Sequence, residues 1–434
     1  MYTQIINAFK STFLKNVLIL STGTAGAQLI NFLFSPVLTR IYGPDSFGVL
    51  GLYTSLITIG LPLISLSLYL AIPLPKEKNE VLKLTFSSLK IVIIGSIGIF
   101  FVLILSKEYI ISTFEIENLN SLFLLVPLGI LLSGILLIFQ TLNIKLGKFK
   151  DNSYAILIGT IISNASKLGV GLYFSNALIL IILTMLGFIV QIVILLKNGI
   201  YVILKEFQTG NIFTGYSVKQ SLKKYSDFPL YRSPEMFLNA AAHSVPVIVL
   251  TSLFSPSAAG YYSLAIMVLS QPTQLVSESI GNVLYPAMAE KFNNNSKITP
   301  QILKVTGLLC LIGVIPFGII ILFGPPIFTI VFGGKWSEAG EYAQWISFWS
   351  FFLFINRPST KALMVMSKQS FQLKFTMIVS LIRIISIVVT ALLTNSALIA
   401  VATFSVIGVI SNIFLIIKTY DYSIKSDLVN VNNG

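Results

Sequence analysis

Twelve stretches of about 20 mainly apolar residues recur along this chain, and that length is what a helix needs to cross a bilayer. In lipid, every backbone N–H and C=O must be satisfied within the protein, which leaves helices as the spanning element for such stretches. They lie at 16–38, 46–71, 86–106, 121–142, 154–174, 177–196, 234–254, 260–285, 302–323, 341–362, 372–392 and 397–418. Hydrophobic residues make up 55% of the chain and charged residues only 10%, against roughly 25% charge in a soluble domain. The expected fold class is an all-α polytopic membrane protein of about twelve transmembrane helices.

The longest connection, 197–232, falls between the sixth and seventh spans and divides the chain into two halves. Residues 39–63 and 251–275 read as diverged copies of one segment. Thr39 lies over Thr251, Pro44 over Pro256, Gly48 over Gly260 and Leu52 over Leu264. Because six is even, both halves enter the membrane from the same side, so the repeats are parallel. Duplicated bundles of this kind form two lobes around a substrate cavity and rock to move their cargo. The expected organisation is an interfacial segment at 1–15, a six-helix lobe at 16–196, a cytoplasmic connection at 197–232, a second lobe at 233–418 and a cytoplasmic tail at 419–434.

The net charge of +13 comes from 29 Lys and Arg against 16 Asp and Glu. In a soluble protein this would suggest nucleic acid. Here most of it follows the cytoplasmic excess of Lys and Arg in membrane proteins, and no nucleic-acid partner is expected. Loops holding Lys10, Lys76, Lys145, Lys219, Lys291, Lys368 and Lys418 alternate with loops holding only Arg40, Lys107 and Lys335. That asymmetry places both termini in the cytoplasm. Cys310 and His243 are the only cysteine and histidine, which excludes Cys/His zinc sites, intramolecular disulfides and Ser-His triads. The N-terminus carries no cleavable signal pattern. Neither a metal nor a cofactor is expected.

A charge in the hydrocarbon costs several kcal/mol unless it faces a cavity or a partner. Lys167 sits deep in the fifth span and Arg383 deep in the eleventh, its counterpart in the second half. Thr160, Asn164 and Lys167 share one helical face at i, i+4, i+7, and Thr376, Ser380 and Arg383 repeat the spacing. Each half thus aims a hydroxyl, a small polar group and a cation inward. The competing reading is that each cation snorkels or meets a carboxylate. Asn31 and His243 are equivalent under the repeat; a polar stripe of this kind serves equally as helix–helix glue or as a substrate surface. Glu278 lies on a stripe with Gln271, Gln274 and Asn282, either binding a coupling cation or balancing a neighbouring charge. Arg357 and Lys361 lie one turn apart toward the cytoplasmic end of the tenth span, where they catch an anion or mark the helix end. The midplane cations outnumber the acids, and a cationic cavity suits an anionic cargo.

The turn Arg40-Ile-Tyr42-Gly43-Pro44-Asp45-Ser46-Phe47-Gly48 resembles the R-x-h-G-P-x-x-[FY]-G turn of oligosaccharide flippases. These form the polysaccharide-biosynthesis branch of the multidrug/oligosaccharidyl-lipid/polysaccharide superfamily. Asp227-Phe-Pro229-Leu-Tyr231, Gly260-Tyr-Tyr262 and Met366-Ser-Lys368-Gln369 are similar to later segments of that family. The resemblance implies a V-shaped two-lobed flippase of a bacterial inner membrane. Its cargo would be an O-antigen-type oligosaccharide on a polyprenyl diphosphate, and transport would proceed by alternating access. It implies coupling to a proton or sodium gradient, with a polysaccharide polymerase and a chain-length regulator as partners. The turns Gly43-Pro44 with Gly48, and Pro256 with Gly260, would form an external gate, where a missing Cβ lets opposing backbones approach.

Three other readings compete. A lipid II flippase is close, but those usually carry extra helices beyond the twelve counted here. A multidrug or cation antiporter of the same superfamily would need acids in its lobe cavities, and the first half has none in mid-helix. A polytopic glycosyltransferase or polysaccharide polymerase would need a large external loop or a pair of acids, and neither is evident.

Overall fold

The computed structural model describes residues 2–108, 122–208, 218–294 and 296–432. Within these, the side chains of 2–18, 122–123, 198–208, 271–272, 274–283 and 429–432 are left aside. The described residues form thirteen α-helices with short 3-10 and π turns, and no strand is found among them. The chain is a multi-pass membrane protein. Eight helices are long and apolar enough to cross a bilayer among the described residues, and large aliphatic side chains such as Leu105, Leu311 and Leu393 stand exposed along them.

The first helix, α1 (Tyr2–Ser65), carries two of the expected spans. Its apolar part, Ile19–Ser65, has 47 residues and would measure about 70 Å if straight, more than twice the hydrocarbon thickness of about 30 Å. The chain breaks at Gly43, whose φ of 72° and ψ of 172° are non-helical. A positive φ is what glycine tolerates, and Pro44 next to it cannot donate the backbone hydrogen bond that would continue the helix.

The remaining helices of the first half are α2 (Lys78–Leu105), α3 (Leu122–Lys145), α4 (Phe149–Gly171), α5 (Ala177–Gln208) and the short α6 (Val218–Lys224). Then come α7 (Ser233–Leu253), α8 (Pro256–Asn293), α9 (Thr299–Phe332), α10 (Ser337–Ile355), α11 (Arg357–Val365), α12 (Gln369–Thr394) and α13 (Ala397–Asn432). Each expected span has its helix, with two changes of form. The span expected at 46–71 ends as α-helix at Ser65, where Leu66 and Ser67 turn the chain into a short 3-10 segment at Leu68–Ala71. The span expected at 341–362 is two helices, because Pro358 just after Asn356 lacks the N–H an unbroken helix would use and α11 starts afresh at Arg357. The segment expected as a tail continues the last span as helix to Asn432.

The chain clusters into two compact units. The first comprises residues 1–42 and 49–244, and the second comprises 43–48 and 245–434. In the first, small residues bring helices close. Ser153 Oγ donates to the Ile19 carbonyl at 2.6 Å and Ser163 Oγ to the Leu183 carbonyl at 2.8 Å. A Cβ on Gly159 would lie 2.9 Å from the Gly187 carbonyl oxygen. Lipid gives no hydrophobic drive for helices to associate, so close packing and interhelical hydrogen bonds do that work. In the second unit, Trp336, Phe328 and Phe404 anchor an aromatic core. There α9 bends at Phe323 just before Pro325 and Pro326.

Candidate functional site

Lys167 stands on α4, one turn before the helix ends at Gly171, and it is half-buried. Its ammonium has no carboxylate or hydrogen-bond partner among the described residues, so the ion-pair alternative finds no support at this position. The α4 backbone beneath it is held from α1, where the buried Tyr42 hydroxyl donates to the Lys167 carbonyl at 2.8 Å. A Cβ on Gly171 would strike the Tyr42 ring. One turn before the lysine, Asn164 is 4% exposed. Its Nδ2 donates to Asn31 Oδ1 at 2.7 Å and to the Thr160 carbonyl at 2.9 Å. Three expected site residues, Asn31, Asn164 and Lys167, are thus brought onto one α1–α4 face of the first unit.

Arg383 has a different setting. Its guanidinium carbon lies 3.9 Å from the centroid of Trp349 and 3.7 Å from that of Phe404. Nε donates to the Phe404 carbonyl at 3.2 Å, while Nη2 is buried without a hydrogen-bond partner. The cation is therefore clamped between two rings of its own unit, where cation–π attraction replaces a carboxylate. Ser380 is half-buried one turn before it, and Thr376 is exposed. Arg357 and Lys361 are half-buried on α11, just after the break at Asn356, whose Nδ2 donates to Asn412 Oδ1 at 2.8 Å. The side chain of Glu278 lies outside the described residues.

The turns expected as a gate come together within the second unit. A Cβ on Gly48 would lie 1.7 Å from the Pro256 carbonyl oxygen, and one on Gly260 would lie 2.1 Å from that of Pro44. Ser257 Oγ donates to Asp45 Oδ1 across the same contact. Ser255 caps α8 by accepting from the Ala258 N–H at 3.2 Å. Phe47 packs edge-on against Trp336 at 5.4 Å. Arg40, by contrast, is exposed.

His243 lines a cavity of about 640 Å³ in the first unit. The cavity's walls come from the second limb of α1, from α3 and α5, and from the first half of α7. Ser233 Oγ donates to the Pro62 carbonyl at 2.7 Å and Ser67 Oγ to Met236 Sδ at 3.5 Å, which fixes α7 to the end of α1. Leu66 and Ser67 both have left-handed φ near 50°, a conformation that side chains adopt at a cost. That bend brings Tyr69 into the cavity wall. Tyr69, Ser133 and Asn239 were not singled out by sequence reasoning; isolated hydroxyls and amides in apolar helices give no periodic signal. At the start of α2, Glu80 accepts from Lys224 and from the Tyr225 hydroxyl. Burial and the Glu80 carboxylate push the Tyr225 phenol up to about 12.

A family model described as "Polysaccharide biosynthesis protein" matches residues 37–341. No curated protein matches the chain. Among solved structures, the chain resembles the lipid II flippase MurJ in an inward closed conformation, at 13% identity and a TM-score of 0.67, over 95% of this chain and 91% of that one. It also resembles a multidrug resistance MATE family transporter of the MOP superfamily. The inward-facing form gives 11% identity and a TM-score of 0.63, over 93% of this chain and 96% of that one. The outward-facing form gives 11% identity and a TM-score of 0.58, over 97% and 96%. At such identities the likeness speaks to the fold, and the fold is the twelve-helix, two-lobed one that the sequence predicts.

Proposed function

Because the chain belongs to the polysaccharide biosynthesis protein family, we propose that it is a flippase for polyprenyl-diphosphate-linked oligosaccharides. It carries repeat units of an O-antigen or similar surface polysaccharide from the cytoplasmic to the periplasmic leaflet of a bacterial inner membrane. Both termini are cytoplasmic in this reading, and transport proceeds by alternating access.

The observation that carries the proposal is Lys167. A cation this deep in a spanning helix, with no carboxylate partner among the described residues, is costly unless its surroundings supply water or an anion. A diphosphate meets that need, since it offers several charged acceptors to the three donors of an ammonium. The Asn31–Asn164 bond one turn away fixes the helix face from which the lysine projects. Arg383, held between Trp349 and Phe404, supplies a second cation from the other unit, with Arg357 and Lys361 nearer the cytoplasm. A proton or sodium gradient drives the cycle in this proposal, and Glu278 is its candidate carboxylate. A polymerase and a chain-length regulator act on the delivered units.

The test uses the protein in liposomes with a fluorescent short-chain polyprenyl diphosphate disaccharide. Lys167→Gln should slow translocation about tenfold or more, and Lys167→Arg should keep most of it. An unchanged rate in Lys167→Gln, at equal protein insertion, refutes the role of Lys167. A wild-type protein that moves organic cations and not the lipid-linked sugar is an antiporter instead.

A further inference from the structure

The cavity of the first unit holds polar groups that no hydrogen bond among the described residues satisfies. Ser133 is 9% exposed, and its Oγ has no hydrogen-bond partner among the described residues. Tyr69 is 5% exposed, and its phenol likewise makes no hydrogen bond among them. The exposed Asn239 amide, on the facing wall, makes none either. Buried polar groups are normally paired, and leaving one unpaired costs on the order of 1–3 kcal/mol. The buried Ser133 hydroxyl, with the Tyr69 phenol and the Asn239 amide lining the same cavity, therefore points to an occupant rich in donors and acceptors.

The rest of the lining narrows its chemistry. Thr54 and Thr58 give their protons to the Gly51 and Thr54 carbonyls of their own helix, so their oxygens face the cavity as acceptors. Tyr69 and Phe188 add aromatic rings. Arg232, at the wall, is neutralised by Glu235, with Nη1 at 2.8 and 3.0 Å from the two carboxylate oxygens. The cavity thus offers mixed donors, acceptors and rings with its charge balanced. Its volume of about 640 Å³ falls within the usual range for small-ligand pockets.

We infer that this cavity is a subsite for an uncharged sugar of the cargo, with Tyr69, Ser133 and Asn239 reading its hydroxyls. A pyranose presents hydroxyls that both donate and accept around an apolar ring face, which matches this lining. The inference rests on the flippase reading and adds to it where the glycan is held. It also assigns a function to the strained turn at Leu66 and Ser67, which positions the Tyr69 ring.

Binding is measured on the full-length protein in nanodiscs with two probes. One is a farnesyl-length polyprenyl diphosphate; the other set carries a panel of uncharged disaccharides on the same lipid. The wild type should bind at least one glycosylated lipid more tightly than the bare one. Tyr69→Phe and Asn239→Ala should each weaken the glycosylated lipid about tenfold and leave the bare lipid unchanged. Tyr69→Phe keeps the ring and Asn239 is exposed, so both variants should fold, which thermal unfolding checks. Equal losses on both probes mean that the isoprenoid chain fills the cavity and overturn the inference. So do unchanged affinities for both. If the wild type flips the glycosylated lipid but the variants do not discriminate, the subsite fails while the flippase reading stands. If the wild type neither binds nor flips either probe, both fail.

Discussion

Asn164 on α4 donates its side-chain amide to Asn31 on α1 at 2.7 Å, and this bond joins the helix that carries the half-buried Lys167 to the first span. Both residues belong to the first unit. In hydrocarbon, a lost interhelical hydrogen bond has no water to replace it, yet such bonds measure only about 0.6–2 kcal/mol because the unfolded helices find other partners.

The expected outcome is that Asn164→Leu lowers stability by about 1 kcal/mol. The double variant Asn31→Leu with Asn164→Leu should cost less than the sum of the two single changes. A double-mutant cycle on thermal or denaturant unfolding in detergent reads this coupling. Additive effects would mean that each asparagine is held by its own helix alone.

Arg383 should not tolerate lysine. Its planar guanidinium fits between Trp349 and Phe404, whereas an ammonium is compact and strongly hydrated. Arg383→Lys should destabilise the protein by about 1–2 kcal/mol, the scale of a desolvated cation–π contact. At Lys167, the reverse exchange should leave unfolding nearly unchanged, since no ring or carboxylate among the described residues is fitted to that head group. Midpoints of thermal unfolding for the two swaps make the comparison. Equal shifts would show that the aromatic clamp contributes nothing specific.

The contrast between these two cations shows what sequence alone conveys. Spacing is legible, because Thr160, Asn164 and Lys167 recur at helical intervals as Thr376, Ser380 and Arg383. Surroundings are not, because Trp349 and Phe404 arrive from other helices. The spans were legible from length and apolarity. The break at Asn356 was signalled by Pro358, but the apolar run passes through it without interruption. The partner of Asn31 was hidden for the same reason as that of Arg383, since periodicity on one helix does not name the residue across from it. Ser133 and Tyr69 left no trace at all, because their significance lies in the hydrogen bonds they lack among the described residues.

Gly48 and Gly260 admit no side chain. A Cβ at either would sit 1.7 Å or 2.1 Å from a backbone carbonyl oxygen, and a backbone atom cannot swing aside. In a Cys310→Ser background, the changes Asp45→Cys and Ser257→Cys should crosslink readily, because those two side chains are hydrogen-bonded. Adding Gly48→Ala should reduce the crosslinked fraction several-fold by forcing the turn off α8. An undiminished yield would show that the backbone yields without loss of the contact. Under the flippase reading, the crosslink should also stop transport until reductant is added.

Asp427 near the end of α13 caps α9. Its Oδ1 accepts from the Ile298 N–H at 2.9 Å and its Oδ2 from the Thr299 N–H at 3.0 Å. Thr299 Oγ1 is also hydrogen-bonded to Ser423 Oγ at 2.9 Å. The first N–H groups of a helix have no intrahelical acceptor, and the helix dipole favours a negative charge there. Ile298 itself, at the cap position, has no side-chain oxygen to offer, so the acceptor comes from α13. Asp427→Ala leaves two buried donors unsatisfied and should cost about 1–2 kcal/mol, the usual range for losing a cap. Asp427→Asn keeps one acceptor and should fall between alanine and the wild type. Thermal unfolding measures the cost, and hydrogen exchange at the Ile298 and Thr299 amides locates it. If both amides exchange in Asp427→Ala as slowly as in the wild type, the carboxylate is not what holds the start of α9.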